Sequence, residues 1–589
     1  MTRFAVWAPA ARSVRLAVGD ERRAMSSGGP GSKEGWWTLD AADVGHGDRY
    51  AFVLDDTGDD TANAVGDELP DPRSRWQPGG VHARSAVVDD STFTWTDADW
   101  RGVPLTGAVL YELHVGTFTP EGTFDAAVGR LDHLVGLGVD AVELLPCNAF
   151  DGIRGWGYDG VDLYAVHEPY GGPDGLKPFV DACHGRGLGV VMDVVYNHLG
   201  PAGNYLGRFG PYFTDTHSTP WGAAVNLDAS GSDEVRRFLL DNGVMWLRDY
   251  HCDGLRLDAV HALRDDRAVH LLEELSREVE QLRVSTGRPL FLIAESDLND
   301  PRLVRPVEGG GYGLDAQWCD DVHHALWAAL SGERQGYYVD FGSLQVLGKA
   351  LRSAFVHDGG FSMFRGRSHG RPATGVPGHR FVTFLQDHDQ IGNRAQGDRA
   401  SATVPDGLLK VGAAILLLSP FTPMLFMGEE WGARTPWQFF SDHSGALGEA
   451  VRAGRRAEFA AHGWASDQVP DPQDPATFER STLDWGEPAT ERGAMLLDWH
   501  RRLIALRRSL PDLCDPRLEH VQVTADDDER WLVLHRGSVT VVAAFGPERT
   551  VIPVLGTPVK VLLGSEPGFS VADGRVELPG ESVALVQLL

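Results

Sequence analysis

The chain has 589 residues, with 53 Lys and Arg against 83 Asp and Glu, a net charge of −30, and 42% hydrophobic residues. That apolar content excludes a disordered chain or a coiled-coil rod. The acidic balance argues against nucleic acid or an anionic membrane as a partner, because both select clustered Lys and Arg, whereas neutral ligands remain open.

Residues 1 to about 95 carry short alternating runs, FAVWAP, SVRLAV, DRYAFVLDD and SAVVDD, between clusters of Gly, Asp, Pro and Ser, which predicts a small antiparallel β domain over 1–95. From about 105 to 510 the texture changes to apolar runs alternating with helical patterns. AVLYELHVGTF, VDAVELLP, LGVVMDVVYNH, DGLRLDAVHAL, PLFLIAES, LDAQWCDD, RFVTFLQDHDQ and PMLFMGEEW make eight strand candidates. Helices are expected at FDAAVGRLDHLVGLG, LKPFVDACHGRG, DEVRRFLLDNGVMWLRDYH and near 266–285. Eight nearly continuous apolar strands interleaved with helices is the arithmetic of a (β/α)8 barrel; a doubly wound open sheet is the alternative. The stretch 411–428 is apolar but broken by two prolines, so it reads as a buried helix and a buried strand, not a membrane span. From about 518 to 589 the β texture returns (HVQVTA, RWLVLHRGSVTVVAAF, VIPVLG, SVALVQLL), and the acidic run 526–529 reads as a solvated turn.

Five single cysteines without a CxxC, the lack of an apolar h-region in the opening residues, and the absence of any N-x-S/T sequon lead to the expectation of a soluble, cytoplasmic protein with reduced thiols.

Several strand candidates end in ionisable groups: Asp193 and His198, then Arg256, Asp258 and His261, then Glu295, then His388 and Asp389. A carboxylate after an apolar strand costs solvation unless it meets partners or a cavity, and in barrels the C-terminal strand ends converge on one mouth. A lone strand-end Asp is more often a cap or an ion-pair member. Four such clusters call for a common cause. The histidines could suggest a metal, but they show no HxH or HExxH spacing, so no metal and no cofactor is expected. No Gly-x-Ser-x-Gly elbow supports a serine hydrolase, and GRGLG (185–189) precedes a strand, which makes it a helix terminus and not a dinucleotide loop.

Three acids at one mouth fit glycoside chemistry, in which one ionised carboxylate attacks and a second, protonated one serves as acid and then base. Arg256 and Asp258 share one face of an extended strand, so the fixed positive charge would keep Asp258 ionised. Glu295, arriving from the next strand, could hold a raised pKa and act as the acid.

The motifs DVVYNH (193–198), GLRLDAVH (254–261), AES around Glu295 and DHD (387–389) resemble those of the α-amylase superfamily, glycoside hydrolase family 13. The resemblance implies a (β/α)8 barrel with an N-terminal carbohydrate-binding-like, immunoglobulin-like β-sandwich over 1–95, a short insertion after the third strand (199–230), and a C-terminal antiparallel β domain over 518–589. By the same resemblance Asp258 is the nucleophile, Glu295 the acid/base and Asp389 the transition-state stabiliser. Tyr158, His198, Arg256, His261, Asp320, Asp321, His323, His324, His388, Gln390 and Asn393 fall on substrate contacts, and Asp193 on a structural acid. The opening FAVWAPAARSVRL is similar to the N-terminal β-sandwich of the glycogen-branching, isoamylase and trehalohydrolase branch, and YELHVGTFTPEGTF (111–124), GWGYDGVDLYA (155–165), VVYNHLGPAGNYL (194–206), WCDDVHHAL (318–326), LQDHDQIGNR (385–394), LFMGEEWG (425–432) and DPQDPATFERSTLDW (471–485) narrow the resemblance to its trehalohydrolases. Those trehalohydrolases cleave the α-1,4 bond between a maltooligosaccharide and its terminal trehalose. Maltooligosyl trehalose and related α-glucans are then the ligands, and the protein is expected to be a monomer or homodimer. Cys319 departs from the pattern, which puts one local contact in doubt. The loop after the eighth strand, with Glu429, Glu430 and Trp431, is expected near the trehalose end of the cleft. A branching or debranching enzyme acting on α-1,6 linkages and a catalytically inert glycan-binding protein are the other readings.

Overall fold

A computed structural model of the protein describes residues 1–27, 34–55, 67–219, 222–460, 465 and 468–588. Eight parallel strands close on themselves: β1 (Leu110–Leu113), β2 (Ala141–Leu144), β3 (Gly189–Val194), β4 (Gly254–Leu257), β5 (Phe291–Ala294), β6 (Ala316–Trp318), β7 (Phe381–Phe384) and β8 (Thr422–Phe426). Every residue in them is buried, which explains why their sequences run apolar instead of alternating. The open-sheet alternative is thereby excluded, since β8 pairs β1.

The helices lie where the periodicity predicts, with local adjustments. The segment FDAAVGRLDHLVGLG splits into Phe124–Val128 and Leu131–Leu137, and the second piece ends at Gly138, whose φ of 100° only glycine adopts freely. The helix expected near 266–285 starts later, at Leu271, and runs to Thr286. Its first turn is set by Asp265, which accepts a hydrogen bond from Leu271 N at 2.7 Å while ion-paired to buried Arg236. GRGLG follows the helix Gly172–His184 as its terminus.

The N-terminal β region is two antiparallel sheets. Thr2–Trp7, Trp36–Ala41 and Ser26–Ser27 form one; Glu21–Ala24, Ser13–Val18, Arg49–Asp55 and Glu68–Leu69 form the other. Of SAVVDD only Ser85–Ala86 is paired. This region is fastened to the barrel side by Arg73, which reaches Asp241 at 2.8 Å, and by Trp7 edge-on to Tyr212. The stretch after β3 holds a short helix, Leu206–Phe209, and a hairpin, Phe213–Thr219 with Gly222–Val225.

At the other end, a five-stranded antiparallel sheet and a three-stranded one cover the barrel. The apolar stretch beginning at 411 belongs to the helix α1 (Asp406–Leu418), which packs against both the helix Glu491–Ser509 and the C-terminal sheet. The acidic turn is not merely solvated. Asp526 accepts from the backbone N–H of Asp528 and Glu529, but Asp527 accepts from Leu344 N at 2.5 Å and thereby caps the helix Leu344–Ser353. All five cysteines are free thiols, and no described helix is long and apolar enough to cross a membrane.

Leu417 of α1 is fully buried. Leu417→Ala removes three heavy atoms from a fully buried position on a helix packed against the C-terminal sheet, so a stability loss of about 2–5 kcal/mol is expected, read as a lower Tm with far-UV circular dichroism unchanged before melting. A Tm within error of the parent would show that this layer does not hold the two units together.

Candidate active site

The floor of the barrel mouth is a buried guanidinium. Asp193 on β3 lies in register with Arg256 on β4, and Arg256, fully excluded from solvent, donates from Nη1 to both oxygens of Asp193 (3.0 and 2.8 Å) and to Asp258 Oδ1 (2.9 Å). Its plane lies 4.4 Å from the Trp318 ring centroid, a cation–π contact that substitutes for lost water. Burial pushes the Asp193 carboxyl up to about 6 against the pull of Arg256.

Leu257 on β4 pairs with Ala294 on β5, so the residues that follow each, Asp258 and Glu295, emerge side by side. Asp258 Oδ2 accepts from Asn197 Nδ2 at 2.9 Å. Glu295 lies 3.8 Å from Arg256 Nη2 and accepts from Ala259 N at 2.5 Å. That bond holds Ala259 at φ +39°, a strained conformation for a residue with a Cβ. Burial first, then Asp258, Asp320 and Asp389, overcome Arg256 and push the Glu295 carboxyl up to about 8. The two neighbouring acids thus sit in unlike surroundings. Asp258 is salt-bridged, and Glu295 is desolvated beside like charges.

Across the mouth, Asp387 caps the short helix His388–Gly392 by accepting from Gln390 N, which presents His388 and Asp389. His388 Nδ1 pairs with Glu112 Oε1 at 2.6 Å, and its Nε2 lies 3.7 Å from Asp389. Burial opposes its charge, but Glu112 and Asp389 outweigh that and push the imidazole up to about 10, so it is cationic. The Tyr158 ring stacks on it, with centroids 5.0 Å apart, and donates its hydroxyl to Asp193 at 2.7 Å. His198 holds the Tyr158 carbonyl at 2.8 Å through Nε2 and meets the Asn197 side chain through Nδ1.

These groups line one open cleft of about 750 Å³. It brings together Asp258, Glu295, Asp389, Tyr158, His198, His261, His388 and Asn393, with Arg256 beneath. His261 Nδ1 is buried there without a hydrogen-bond partner. Trp156, Asp297, Phe439, His443 and Arg455 also line the cleft and were not singled out from sequence. Asp297 stands two residues after Glu295, a spacing that could have drawn attention to it. Phe439 and Arg455 come from loop and helix segments far along the chain, which no local pattern connects to the mouth.

Other expected contacts lie elsewhere. Asp320 and His324 line a small side chamber of about 20 Å³ that shares Asp297 with the main cleft. Asp321 borders it too, but its carboxylate is spent on Asn299 Nδ2 and the backbone N–H of Val356 and His357, all within 2.8 Å, which makes it a loop anchor. His323 is buried against Tyr338 and Phe384, and desolvation lowers its pKa to about 3. Gln390 meets Tyr337 at 3.3 Å and lines neither cavity. The expectation for Glu429, Glu430 and Trp431 is corrected. All three are buried away from the cleft, Glu430 accepting from Tyr111 and His133, because the short turn after β8 folds under the outer helices. Cys319 also faces inward, its thiol directed at Ala354 O, so its departure from the family pattern leaves the cleft untouched.

His217, Asp228 and Asp266 place three potential metal-donor atoms within 4.8 Å of one another. One Asp228 oxygen is already taken by His217 Nε2 and Asp266 N, so the group satisfies itself.

A closed parallel barrel with unlike carboxyls at its C-terminal mouth belongs to the α-amylase class of glycosidases. The model of the α-amylase catalytic domain matches residues 86–210, and a domain of unknown function, DUF3459, matches 516–585. Over 99% of its length the chain is 54% identical to the whole malto-oligosyltrehalose trehalohydrolase of Arthrobacter ramosus, and it is 51% identical to that of Mycobacterium tuberculosis H37Rv over 100% of this chain and 99% of the relative. A Salmonella typhimurium crystal structure described as an α-amylase superposes with a TM-score of 0.89 at 39% identity, covering 99% of this chain and 97% of that one. The chain belongs to the malto-oligosyltrehalose trehalohydrolase family.

The Glu295 environment predicts a pH-dependent stability. Its proton is retained in the folded state up to about pH 8 but lost from the unfolded chain above about pH 4.3, so stability contributed by this group is lost as pH rises across that window. Glu295→Gln, which cannot ionise, should match the parent in Tm near pH 4 and exceed it progressively towards pH 8. A constant Tm difference across the range would exclude the raised pKa.

Proposed function

We propose that this chain is a retaining glycosidase that hydrolyses the α-1,4-glucosidic bond between a maltooligosaccharide and its terminal trehalose, releasing trehalose. The observation that carries the chemistry is the pair of unlike carboxyls at one buried guanidinium: Asp258 ion-paired to Arg256 at 2.9 Å, and Glu295 raised to about 8 beside it. Family membership supports the substrate.

In this reading Asp258 attacks the anomeric carbon of the sugar in the first donor subsite, and Glu295 gives its proton to the glycosidic oxygen as that C–O bond breaks and trehalose leaves. Glu295, now ionised, takes a proton from water, whose oxygen displaces Asp258 and frees the maltooligosaccharide with its α configuration restored. Asp389, oriented by cationic His388 and by Asn393, stabilises the positive charge that develops on the ring. Arg256 acts on the sugar from beneath the cleft by holding Asp258, while His261 lines the cleft within reach of sugar hydroxyls. Asp297, which borders both the cleft and the side chamber, is assigned to the trehalose end, with Asp320 and His324 behind it. The same proposal has the protein working in the cytoplasm, in trehalose biosynthesis, as a monomer or homodimer built of a 1–95 sandwich, a 105–510 barrel and a 518–589 β domain.

Asp258→Asn, Glu295→Gln and Asp389→Asn should each lower kcat by several orders of magnitude while leaving ligand binding measurable. Turnover within about tenfold of the parent for any of them removes that residue from its role. The parent's kcat/KM should fall on the alkaline side with an apparent pKa near 8, because only protonated Glu295 can serve as the acid.

Trehalose is joined 1,1, so its second ring leaves the cleft on a path no maltose unit follows. Polar groups placed for its hydroxyls are left unpaired by a maltooligosaccharide at about 1–3 kcal/mol each, so maltotriosyl trehalose should exceed maltopentaose in kcat/KM by on the order of a hundredfold. Comparable rates, or new α-1,6 branches from amylose, would point instead to the branching or debranching reading.

A further inference from the structure

Behind the wall of the cleft lies a second cavity of about 420 Å³ with a different chemistry. Its lining includes Arg399, Arg434 and Arg480 with the amides of Gln396 and Gln438, and among the described residues no aromatic ring borders it. Asp398 is the one carboxylate among the described lining residues, and it is held by Arg394 at 2.8 Å. Arg434 and Arg480 make no ion pair among the described residues. Arg480 has only neutral contacts, with Gln438 at 3.4 Å and Thr477 at 3.3 Å. Arg399 is buried, donating from Nε to Thr435 O and from Nη1 to Met427 O, while Nη2 has no hydrogen-bond partner.

Among the described lining residues three guanidiniums stand against one committed carboxylate in a chain of net charge −30, with Glu429, Glu430 and Glu487 acting on the buried Arg399 and leaving Arg434 and Arg480 as the two cations without an ion pair among the described residues. A neutral glucan would want flat apolar faces, which these residues do not supply. A tetrahedral oxyanion wants forked N–H donors, which guanidiniums supply in the right geometry. We propose that this cavity is a binding site for a phosphate-class oxyanion, inorganic phosphate or the phosphate of a small phosphorylated sugar, and that its occupant braces the wall of the cleft.

The link to the cleft is one extended segment. Pro436 and Gln438 face the oxyanion cavity, while Phe439, Phe440 and Ser441 line the cleft. Gln438 ties the two sides together: its carbonyl accepts from Trp156 Nε1 at 3.0 Å, its side chain donates to Gln396 O at 3.0 Å, and its N–H donates to Ser481 Oγ at 3.0 Å.

Titration calorimetry of the full chain with inorganic phosphate and with glucose 6-phosphate, at fixed ionic strength and with glucose as the neutral control, tests the site. Saturable binding of at least one phosphate compound, weakened about tenfold or more in Arg434→Gln/Arg480→Gln, is expected, since losing two forked donors at a shared anion costs at least one decade. Both substitutions are on the exposed rim, so an unchanged Tm checks that the fold is intact. Tighter binding of glucose 6-phosphate than of inorganic phosphate identifies the sugar ester as the occupant; the reverse identifies the free ion. No saturable binding, equal binding by the double variant, or equal binding of glucose overturns the site. With phosphate bound, KM for maltotriosyl trehalose should shift about twofold or more in the parent and stay fixed in the double variant; binding with an unchanged KM overturns the bracing of the cleft wall.

Discussion

The mouth of the barrel depends on one buried cation. Arg256 is completely excluded from water, and an unpaired guanidinium there would cost several kcal/mol, so its neighbours are obligatory. Asp193 and Asp258 satisfy it on one side, Trp318 and Tyr158 face it with their rings, and Glu295 approaches from the next strand. The guanidinium meets Asp258 at ion-pair distance and leaves Glu295 further off, and burial beside like charges raises the Glu295 carboxyl. Placement alone thus gives the two carboxyls unlike surroundings.

The opposite rim repeats the device with reversed sign. Glu112, within β1, is inaccessible and is paired with the cationic ring of His388 at 2.6 Å. Tyr158 joins the two halves, its ring on His388 and its hydroxyl on Asp193. Deeper in the barrel, Glu143 is buried with neither carboxyl oxygen hydrogen-bonded, and burial beside Glu112 pushes its pKa well up, so it is carried as a neutral acid. The charges at the mouth form two paired groups, Asp193, Arg256, Asp258 and Glu295 from β3 to β5, and Glu112 with His388 from β1 and β7.

Those loops shape the cleft. The wall formed by Phe439 to Ser441 lies against Trp156, which stacks on Trp437 at 5.4 Å, and Arg455 of the helix Gly445–Ala460 donates to Gly392 O beside it. Gly392 is required there, because a Cβ would come within 2.0 Å of the Trp156 ring. Glycine, indole and guanidinium from three distant segments thus fit one another at the wall of the cleft.

All eight barrel strands were legible in the sequence because strands buried on both faces must be apolar throughout, and the acids that end them stand out against that background. Asp258, Glu295 and Asp389 could be named for this reason, and Arg256 could be tied to Asp258 by a spacing of two. The sequence could not tell which face of a helix or turn meets the cleft. Asp320 to His324 form one first turn, yet Asp320 and His324 border the side chamber while Asp321 anchors a loop and His323 enters the core. Glu429 and Glu430 follow a strand as Asp258 does, but the turn after β8 carries them under the outer helices. Local pattern determined the strands and the chemistry at their ends, since burial and periodicity are properties of neighbours in sequence. Only the tertiary structure decided which polar residues share a cavity, because the partners that claim or release each one, His357 for Asp321, His133 for Glu430 and Gly392 for Arg455, arrive from segments tens to hundreds of residues away.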